Sequence, residues 1–209
     1  ALEEPRAAPK VTQFLYERTA PDTLTAYGVC QRLHIGQTKF QQVELWTSPD
    51  HGKLLLLDGE LQSASRDEFI YHETLVHPAL VRCRRPRNGL ILGGGEGGTL
   101  RELLRPECIE EVVMVDIDGE VVDWCRRVMP EHADGAFDDP RAKLRIGDAL
   151  AFMRESRRKF DLIVSDLTEP TNGQLSITEF AEKLEGLAQQ YQDNKHRMQL
   201  LKSLYDYAQ

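Results

Sequence analysis

Cysteines are few in this 209-residue sequence, and their spacing excludes two common uses of cysteine. Cys30, Cys83, Cys108 and Cys125 include no C-x-x-C pair. Structural zinc sites use such pairs, and disulfide frameworks occur in shorter, cysteine-rich secreted chains. We therefore expect free thiols in a reducing compartment and a cytoplasmic protein.

Long hydrophobic runs are also absent. No apolar stretch approaches the roughly 20 residues that a membrane-spanning helix needs. The first residues, Ala1 to Pro5, contain neither the basic nor the apolar region of a signal peptide. They also contain no methionine, so we expect the N terminus to have been trimmed or left out.

Positive charge is in short supply. The 34 acidic residues outnumber the 26 basic ones, which gives a net charge of −8. Nucleic acids and anionic membranes are repelled by an acidic surface, so we expect neither as a partner. A small cationic ligand suits this balance. The hydrophobic share of 41% is large enough for a folded core.

The first part of the chain favours β-strands. Residues 43–47 alternate between apolar and polar, and residues 53–57 form an apolar run that ends in the turn pair Asp58-Gly59. We predict a small antiparallel β domain over residues 1–62. A helix follows over residues 67–81, with acidic residues at its start and a broad apolar face.

Strands and helices alternate from Gly89 onward. Short apolar runs at residues 90–93, 112–115, 144–146 and 162–164 predict four strands, with helices over 99–105, 120–128 and 149–156 between them. Continuous apolar strands that alternate with helices are typical of a parallel, doubly wound sheet. We therefore predict an α/β chain whose second domain, residues 63–177, is Rossmann-like. Ligands of such sheets bind beyond the carboxyl ends of the strands.

The final segment, residues 178–209, has a different pattern. Its apolar residues recur at alternating steps of four and three, which predicts a long amphipathic helix. Packing on its own domain is the favoured interpretation, and a coiled-coil seam is the alternative. Because the segment contains no clear strand pattern, we expect a truncated sheet whose fourth strand is an uncovered edge.

The glycine-rich stretch Gly93–Gly98 matches G-x-G-x-x-G and lies between a predicted strand and helix. Asp116 ends the next strand, where a carboxylate can bind a ribose diol. This pattern fits both NAD enzymes and methyltransferases. Glu96 favours the second type, because an acid in the loop would repel a pyrophosphate and attract a cationic cofactor. The alternative is a solvated glutamate in a turn.

Three further acids follow strands. Asp148 can bind an adenine amine, cap the next helix, or do both. Asp166 and Glu169 lie three residues apart at the end of the fourth strand. Together with Glu96 and Asp116, they would place four acids at one cavity, where a cation must neutralise them. A polyamine is favoured over a metal, because no histidine lies near these acids in sequence. The alternative is a surface turn with unrelated charges.

Several motifs together resemble those of the polyamine aminopropyltransferase family. They are Leu57–Gly59, Asp67–Glu73, Gly93–Gly98, Asp116–Asp118, Gly135–Arg141 and Asp166–Pro170. The resemblance implies transfer of the aminopropyl group of decarboxylated S-adenosylmethionine to an amine, with release of methylthioadenosine and no metal. It also implies a β domain followed by a Rossmann-like core, and a homo-oligomer, either a dimer or a tetramer.

The resemblance also implies roles for single residues. By position, Asp166 matches the general base, and Asp166, Tyr71 and Glu169 match the residues that bind the amine, although the family more often has Asp at Glu169. Glu96 matches the acid that binds the aminopropyl amine, Asp116 the ribose acid, and Asp148 and Ala149 the adenine contacts. The implied cofactor-binding set is Gln41, His72, Gly93, Gly95, Glu96, Asp116, Ile117, Asp148 and Ala149.

The amine acceptor is less well determined than the reaction. Tyr71-His72-Glu73, Glu96 and Asp166–Thr168 resemble thermospermine synthases and prokaryotic enzymes that use agmatine or triamines. Spermidine is therefore the favoured acceptor, with agmatine or putrescine as others. Two other functions remain open: a methyltransferase on the same core, which would use ordinary S-adenosylmethionine, and a truncated, non-catalytic binding or assembly subunit.

Overall fold

The computed structural model describes residues 10–167 and the pair Leu200–Leu201. The chain forms two compact units, which meet in sequence between Phe69 and Ile70. Both units are built around strands, but the first is antiparallel and the second is parallel. Within the described part of the chain, no helix has the length and apolar character needed to cross a membrane.

The first unit consists of a hairpin and a four-stranded sheet, with strand order β3-β4-β5-β6 in the sheet. Its strands are β1 (Gln13–Ala20), β2 (Thr23–Val29), β3 (Gln31–Gln37), β4 (Gln42–Ser48), β5 (Gly52–Leu57) and β6 (Glu60–Ala64). Asp58 and Gly59 connect β5 and β6, and both have positive φ angles, of 51° and 83°. This is the backbone that an Asp-Gly hairpin turn favours. The antiparallel pairing of these strands confirms the β architecture predicted for the first part of the chain.

The two faces of the β1–β2 hairpin differ in exposure. Leu15 and Tyr27 pack on a buried cluster that includes Trp46 and Leu54. On the opposite face Phe14, Tyr16 and Leu24 are 54%, 67% and 60% exposed. Large apolar side chains on one strand face are an unusual surface for a monomer.

The second unit is a five-stranded parallel sheet flanked by helices, with strand order β11-β10-β7-β8-β9. Its elements are α1 (Glu68–Arg82), β7 (Asn88–Gly93), α2 (Gly98–Leu104), β8 (Glu111–Asp116), α3 (Gly119–Val128), α4 (Pro130–Ala133), a 3₁₀ turn (Ala136–Asp138), β9 (Ala142–Ile146), α5 (Ala149–Glu155), β10 (Leu162–Asp166) and β11 (Leu200–Leu201). The α/β prediction is confirmed, and the four predicted strands have become β7 to β10.

Both faces of this sheet are buried, which explains the continuous apolar strands. Ile91 and Met114 point into one core with Leu75 of α1 and Leu100 of α2. The alternating residues, such as Leu90 and Leu92, point into a second core with Met153 of α5 and Phe160. The carboxyl ends of the central strands, at Gly93, Asp116 and Asp166, lie at one edge of the sheet.

The segment at residues 178–209 differs from its prediction where the structure describes it. Leu200 and Leu201 form a strand that pairs in parallel with Ile163 and Val164, whereas the sequence predicts a helix there and an uncovered edge at β10. Periodicity cannot separate a short apolar strand from a helical segment, and the backbone groups of β10 need partners. The remainder of the predicted helix lies outside the described residues.

Glu102 on α2 is completely buried, although it is a glutamate. Its carboxylate lies 2.8 Å from ring nitrogen Nε2 of His77 on α1 and 2.8 Å from Nε of both Arg101 and Arg105. A buried carboxylate needs such partners to offset its lost hydration. The cluster ties α1 to α2, and these helices carry side chains of the site described next.

Candidate active site

The glycine loop brings the end of β7 into contact with the end of β10. Gly93 has a φ of +81°, and an added Cβ there would lie only 2.1 Å from the carbonyl oxygen of Asp166. The next amide, that of Gly94, donates a hydrogen bond of 2.9 Å to this same oxygen. Only glycine fits this left-handed, close approach. The loop therefore holds Asp166 at the carboxyl edge of the sheet.

Asp166 is bound by two side chains from different helices. The Tyr71 hydroxyl of α1 donates to Oδ1 at 2.8 Å, and the Thr99 hydroxyl of α2 donates to Oδ2 at 2.5 Å. Each carboxylate oxygen thus has one fixed donor. The two bonds hold the plane of the carboxylate while lone pairs remain for another donor.

Glu96, in the glycine loop, lies against His72 of α1. Oε1 of Glu96 is 2.8 Å from Nε2 of His72, and the two side chains are 12% and 1% exposed. The histidine ring also lies against Gly98, where an added Cβ would be 2.5 Å from Cε1 of the ring. Among the residues that the structure describes, Oε2 of Glu96 has no hydrogen-bond partner. We call Glu96 and Asp166 the side-chain-bound acids.

Burial sets the protonation behaviour of this cluster. Loss of hydration raises the pKa of Asp166; a positive charge on His72 lowers it, and the charge of Glu96 raises it further. Burial also raises the pKa of Tyr71, and the charge of Asp166 adds to the effect. Tyr71 therefore stays protonated as a donor, while Asp166 holds a proton more readily than an exposed aspartate.

A second group of acids lies at the ends of β8 and β9 and accepts hydrogen bonds from backbone amides. Asp116 Oδ1 accepts from the amide of Asp118 at 2.8 Å. Asp118 caps α3, with its Oδ1 3.2 and 3.3 Å from two amides of the first turn. Asp148 caps α5 in the same way, at 2.7 and 3.0 Å. We call Asp116, Asp118 and Asp148 the backbone-bound acids.

Asp116 is also close to the glycine loop. An added Cβ on Gly95 would lie 2.9 Å from Oδ2 of Asp116, so a side chain there would have to displace the carboxylate. Burial raises the pKa of Asp116, and the charges of Asp118 and Asp166 add to the effect. Ile117, the next residue, is 46% exposed. In such a pair the carboxylate can bind a diol, and the exposed apolar side chain can contact a flat ring attached to it.

The structure places most of the predicted site residues along one edge of the second unit. Tyr71, His72, Glu96 and Asp166 form one cluster. Gly93, Gly95, Asp116, Ile117, Asp148 and Ala149 follow along the same strand ends. The cap predicted as one role of Asp148 is present, and its contact with adenine stays a prediction.

Two predicted residues lie outside the described part of the second unit. Gln41 belongs to the first unit, in a turn where its carbonyl accepts from the amide of Thr38 at 2.9 Å. Glu169 lies outside the described residues. Their ligand contacts stay predictions. Within residues 10–167, no group of three or more histidine, cysteine or acidic side chains is arranged to hold a metal ion.

Sequence reasoning missed Thr99 and Phe137. Thr99 binds Asp166, and its position directly after the glycine loop at the start of a helix was an available signal. The ring of Phe137 lies against Gly97, where an added Cβ would be 2.6 Å from Cε2 of the ring. Gly97 and Phe137 are 40 positions apart in sequence, and the periodicity of apolar residues carries no information about such a contact.

Comparison with known proteins identifies the family behind this geometry. Residues 68–194 match the model of the spermine/spermidine synthase domain. The chain belongs to the spermine/spermidine synthase family. Residues 11–65 match the model of the spermidine synthase tetramerisation domain. The resemblance on the sequence motifs is thereby confirmed.

Relatives in this family are nearly half identical to the chain over the aligned residues. Polyamine aminopropyltransferase 1 of Hyperthermus butylicus is 46% identical over 164 residues, which are 77% of this chain and 56% of that protein. Thermospermine synthase ACAULIS5 of Arabidopsis thaliana is 46% identical over 159 residues, 76% of this chain and 47% of that protein. The chain thus spans about half the length of these relatives.

Solved structures of the family show the same fold. A spermidine synthase in complex with the transition-state analogue AdoDATO superposes with a TM-score of 0.80 at 31% identity, over 90% of this chain and 64% of that one. Spermidine synthase from Thermotoga maritima has a TM-score of 0.74, also at 31% identity, over 80% of this chain and 59% of that one. The predicted fold class is confirmed by this similarity.

Proposed function

We propose that the protein is an aminopropyltransferase that moves the aminopropyl group of decarboxylated S-adenosylmethionine onto an amine. One observation carries the proposal. A carboxylate with a raised pKa, Asp166, is held by Tyr71 and Thr99 beside a second buried acid, Glu96. This arrangement attracts a cationic amine and provides a base for it. The names of the relatives support the same reaction.

The side chains along the strand ends fit the proposed co-substrate. Glu96 Oε2 is buried and has no hydrogen-bond partner among the described residues, so a primary ammonium group would satisfy it. Asp116 would accept from the ribose diol, with Ile117 beside the adenine and Asp148 near its exocyclic amine. Ordinary S-adenosylmethionine carries a carboxylate next to that ammonium, and Glu96 would repel it.

The transfer needs one base and a fixed geometry. The amine nitrogen attacks the carbon bonded to the sulfonium sulfur, and a C–N bond forms while the C–S bond breaks. The electron pair of that bond stays on sulfur, which becomes the neutral thioether of methylthioadenosine. Asp166 accepts the proton that the amine nitrogen loses. Positioning of amine and carbon supplies most of the remaining rate.

We further propose spermidine as the acceptor, with thermospermine as the product. Tyr71 and Asp166 would bind the amine end of the acceptor, together with Glu169. The thermospermine synthase of Arabidopsis thaliana, 46% identical to this chain, supports this choice. Agmatine and putrescine are the other acceptors that the motifs favour.

The first unit would join copies of the chain. Its hairpin exposes Phe14, Tyr16 and Leu24 on one face, and residues 11–65 match a tetramerisation domain. We therefore propose a homo-oligomer, a dimer or a tetramer, that acts in the cytoplasm. Free thiols at all four cysteines support a reducing compartment.

A single incubation tests the reaction. The chain is mixed with decarboxylated S-adenosylmethionine and, separately, with spermidine, agmatine and putrescine, and the products are identified by mass. Aminopropyl addition with equimolar methylthioadenosine is the expected result. Methyl addition from ordinary S-adenosylmethionine would instead support a methyltransferase, and cofactor binding without any product would support a binding or assembly subunit.

A further inference from the structure

The glycine loop is held between two rings. His72 lies against Gly98 on one side, at 2.5 Å from the position of an added Cβ. Phe137 lies against Gly97, with Cε2 2.6 Å and Cζ 2.9 Å from the corresponding position. Glu96 immediately precedes these two glycines. Its backbone therefore has a fixed support at each of the next two residues.

Gly97 has no room for a side chain on the side of Phe137. Its φ of +91° is left-handed, and its amide donates to the carbonyl of Gly94 at 2.8 Å. Ala133 closes the same side, with its Cβ 2.7 Å from the position of an added Cβ on Gly97. The backbone next to Glu96 is thus in direct contact with α4 and with the turn that follows it.

Phe137 and α4, which contact Gly97, are held in place by two arginines. The guanidinium of Arg126 lies over the Phe137 ring at 5.2 Å and pairs with Asp138 at 2.9 Å. Arg101 donates to the carbonyl of His132 at 2.5 Å and thereby fastens α4 to α2. Phe137 belongs to the Gly135–Arg141 motif, to which the reaction above assigns no role.

We propose that Phe137 is a positioning residue for Glu96. Arg126 holds the ring of Phe137, and the ring determines the position of the Gly97 backbone. The position of the Glu96 carboxylate follows from that of the backbone. The proposal rests on the function proposed above, in which Glu96 binds the ammonium group of the co-substrate. A displacement of about 1 Å in such a group can reduce its effect by orders of magnitude.

The test compares Phe137→Leu with Phe160→Leu. Phe160 is a fair control because it is also an aromatic of the second unit with an arginine over its ring, Arg158 at 5.5 Å, but it packs in the core on the other side of the sheet. Arg126→Gln is a milder variant that leaves the core intact, since the Arg126 side chain is 40% exposed.

Hydrogen exchange of the unliganded chain is the first measurement. We expect amides of residues 94–101 to exchange about tenfold faster in Phe137→Leu, and less so in Arg126→Gln, because local opening becomes easier. Phe160→Leu should leave these amides unchanged. Unaltered exchange in Phe137→Leu, or an equal change in the control, would overturn the proposal without reference to any ligand.

Ligand preference is the second measurement. Calorimetry gives the affinity ratio of decarboxylated S-adenosylmethionine to methylthioadenosine, which lacks the ammonium group. We expect this ratio to fall about tenfold in Phe137→Leu, since a misplaced carboxylate loses its charge-assisted bond, and to stay constant in Phe160→Leu. A constant ratio in Phe137→Leu overturns the positioning role. If the wild-type protein binds the two ligands with nearly equal affinity, Glu96 does not bind the ammonium group. Hydrogen exchange then remains the test of whether Phe137 holds the backbone at Gly97.

Discussion

The two groups of acids at the strand ends share one sheet edge but are bound in different ways. The side-chain-bound acids, Glu96 and Asp166, contact a histidine, a tyrosine and a threonine that come from α1 and α2. The backbone-bound acids accept from amides of the segment that directly follows each of them. The first arrangement depends on helix packing. The second is mainly local, although Asp116 also accepts from the amide of Gly95 in the glycine loop.

This difference distinguishes acids that can take part in the reaction from acids that mainly hold the backbone in place. Local amides hold a carboxylate wherever a strand turns into a helix, so the backbone-bound acids form a stable platform. The side-chain-bound acids can change protonation or partner without loss of a helix cap. We therefore expect substitution of Asp166 to affect the rate and substitution of Glu96 to affect binding of the ammonium group. Substitutions in the second group should affect nucleoside binding and stability.

The largest effect is expected for Asp166→Asn. The amide keeps the shape but cannot accept the proton of the amine, and loss of a positioned base reduces turnover by about 10² to 10⁴. Steady-state rates measure this, while methylthioadenosine affinity should stay nearly intact. If the variant keeps most of its rate, the base lies elsewhere.

Asp116→Ala should come next, with an effect on binding. A carboxylate that accepts from a diol makes charge-assisted bonds, so we expect methylthioadenosine affinity to fall more than about tenfold. Calorimetry measures the affinity. Asp116→Asn is the control, because it keeps an acceptor for the Asp118 amide. Unchanged affinity in the alanine variant would contradict the placement of the nucleoside.

Tyr71→Phe should shift the pH dependence of the rate. The base works only when ionised, so the rate falls as the pH decreases through the pKa of Asp166, and burial places this fall above the range of an exposed aspartate, whose pKa is about 3.9. The bond from Tyr71 lowers the pKa of Asp166. Its removal should move the acidic limb to higher pH. A profile of kcat against pH measures the shift, and a shift to lower pH would contradict the assignment.

Asp148→Ala should have the smallest effect. Loss of the cap on α5 costs about 1 kcal/mol of folding stability, which thermal unfolding measures. Asp148→Ser restores a capping oxygen without the charge. If adenine also binds here, methylthioadenosine affinity falls in both variants although stability returns in the serine variant. If both variants bind methylthioadenosine as tightly as the wild-type protein, capping of α5 is the role of Asp148 and adenine binding is not.

Much of the second unit could be predicted because its signals are local. Apolar runs gave β7 to β10, and the loop pattern indicated where Glu96 and Asp116 lie relative to the strands. The pairing of Glu96 with His72 could not be predicted, because it depends on how α1 packs against the loop 24 residues later in sequence. For the same reason the sequence pattern does not reveal that Glu102 is buried.

Residues outside the regular pattern were the hardest to predict. Leu200 and Leu201 pair with Ile163 and Val164, but a two-residue strand within a helical pattern has no signal of its own. Arg141 donates at 2.8 Å to the carbonyl of Leu104 and at 3.2 Å to that of Pro106. Its motif is recognisable, yet the loop that it closes can be identified only from the fold.

Strand order also determines when each part of the protein can form during synthesis. All strand pairs of the first unit join neighbours in sequence, so its sheets need no residue beyond Ala64. In the second unit, Gly93 must wait for Asp166, its partner on β10. At about 5–20 residues per second, the roughly 100 residues between Ala64 and Asp166 take on the order of 5–20 s to translate. A nascent chain on the ribosome therefore acquires Glu96 and Asp116 before it acquires the proposed base.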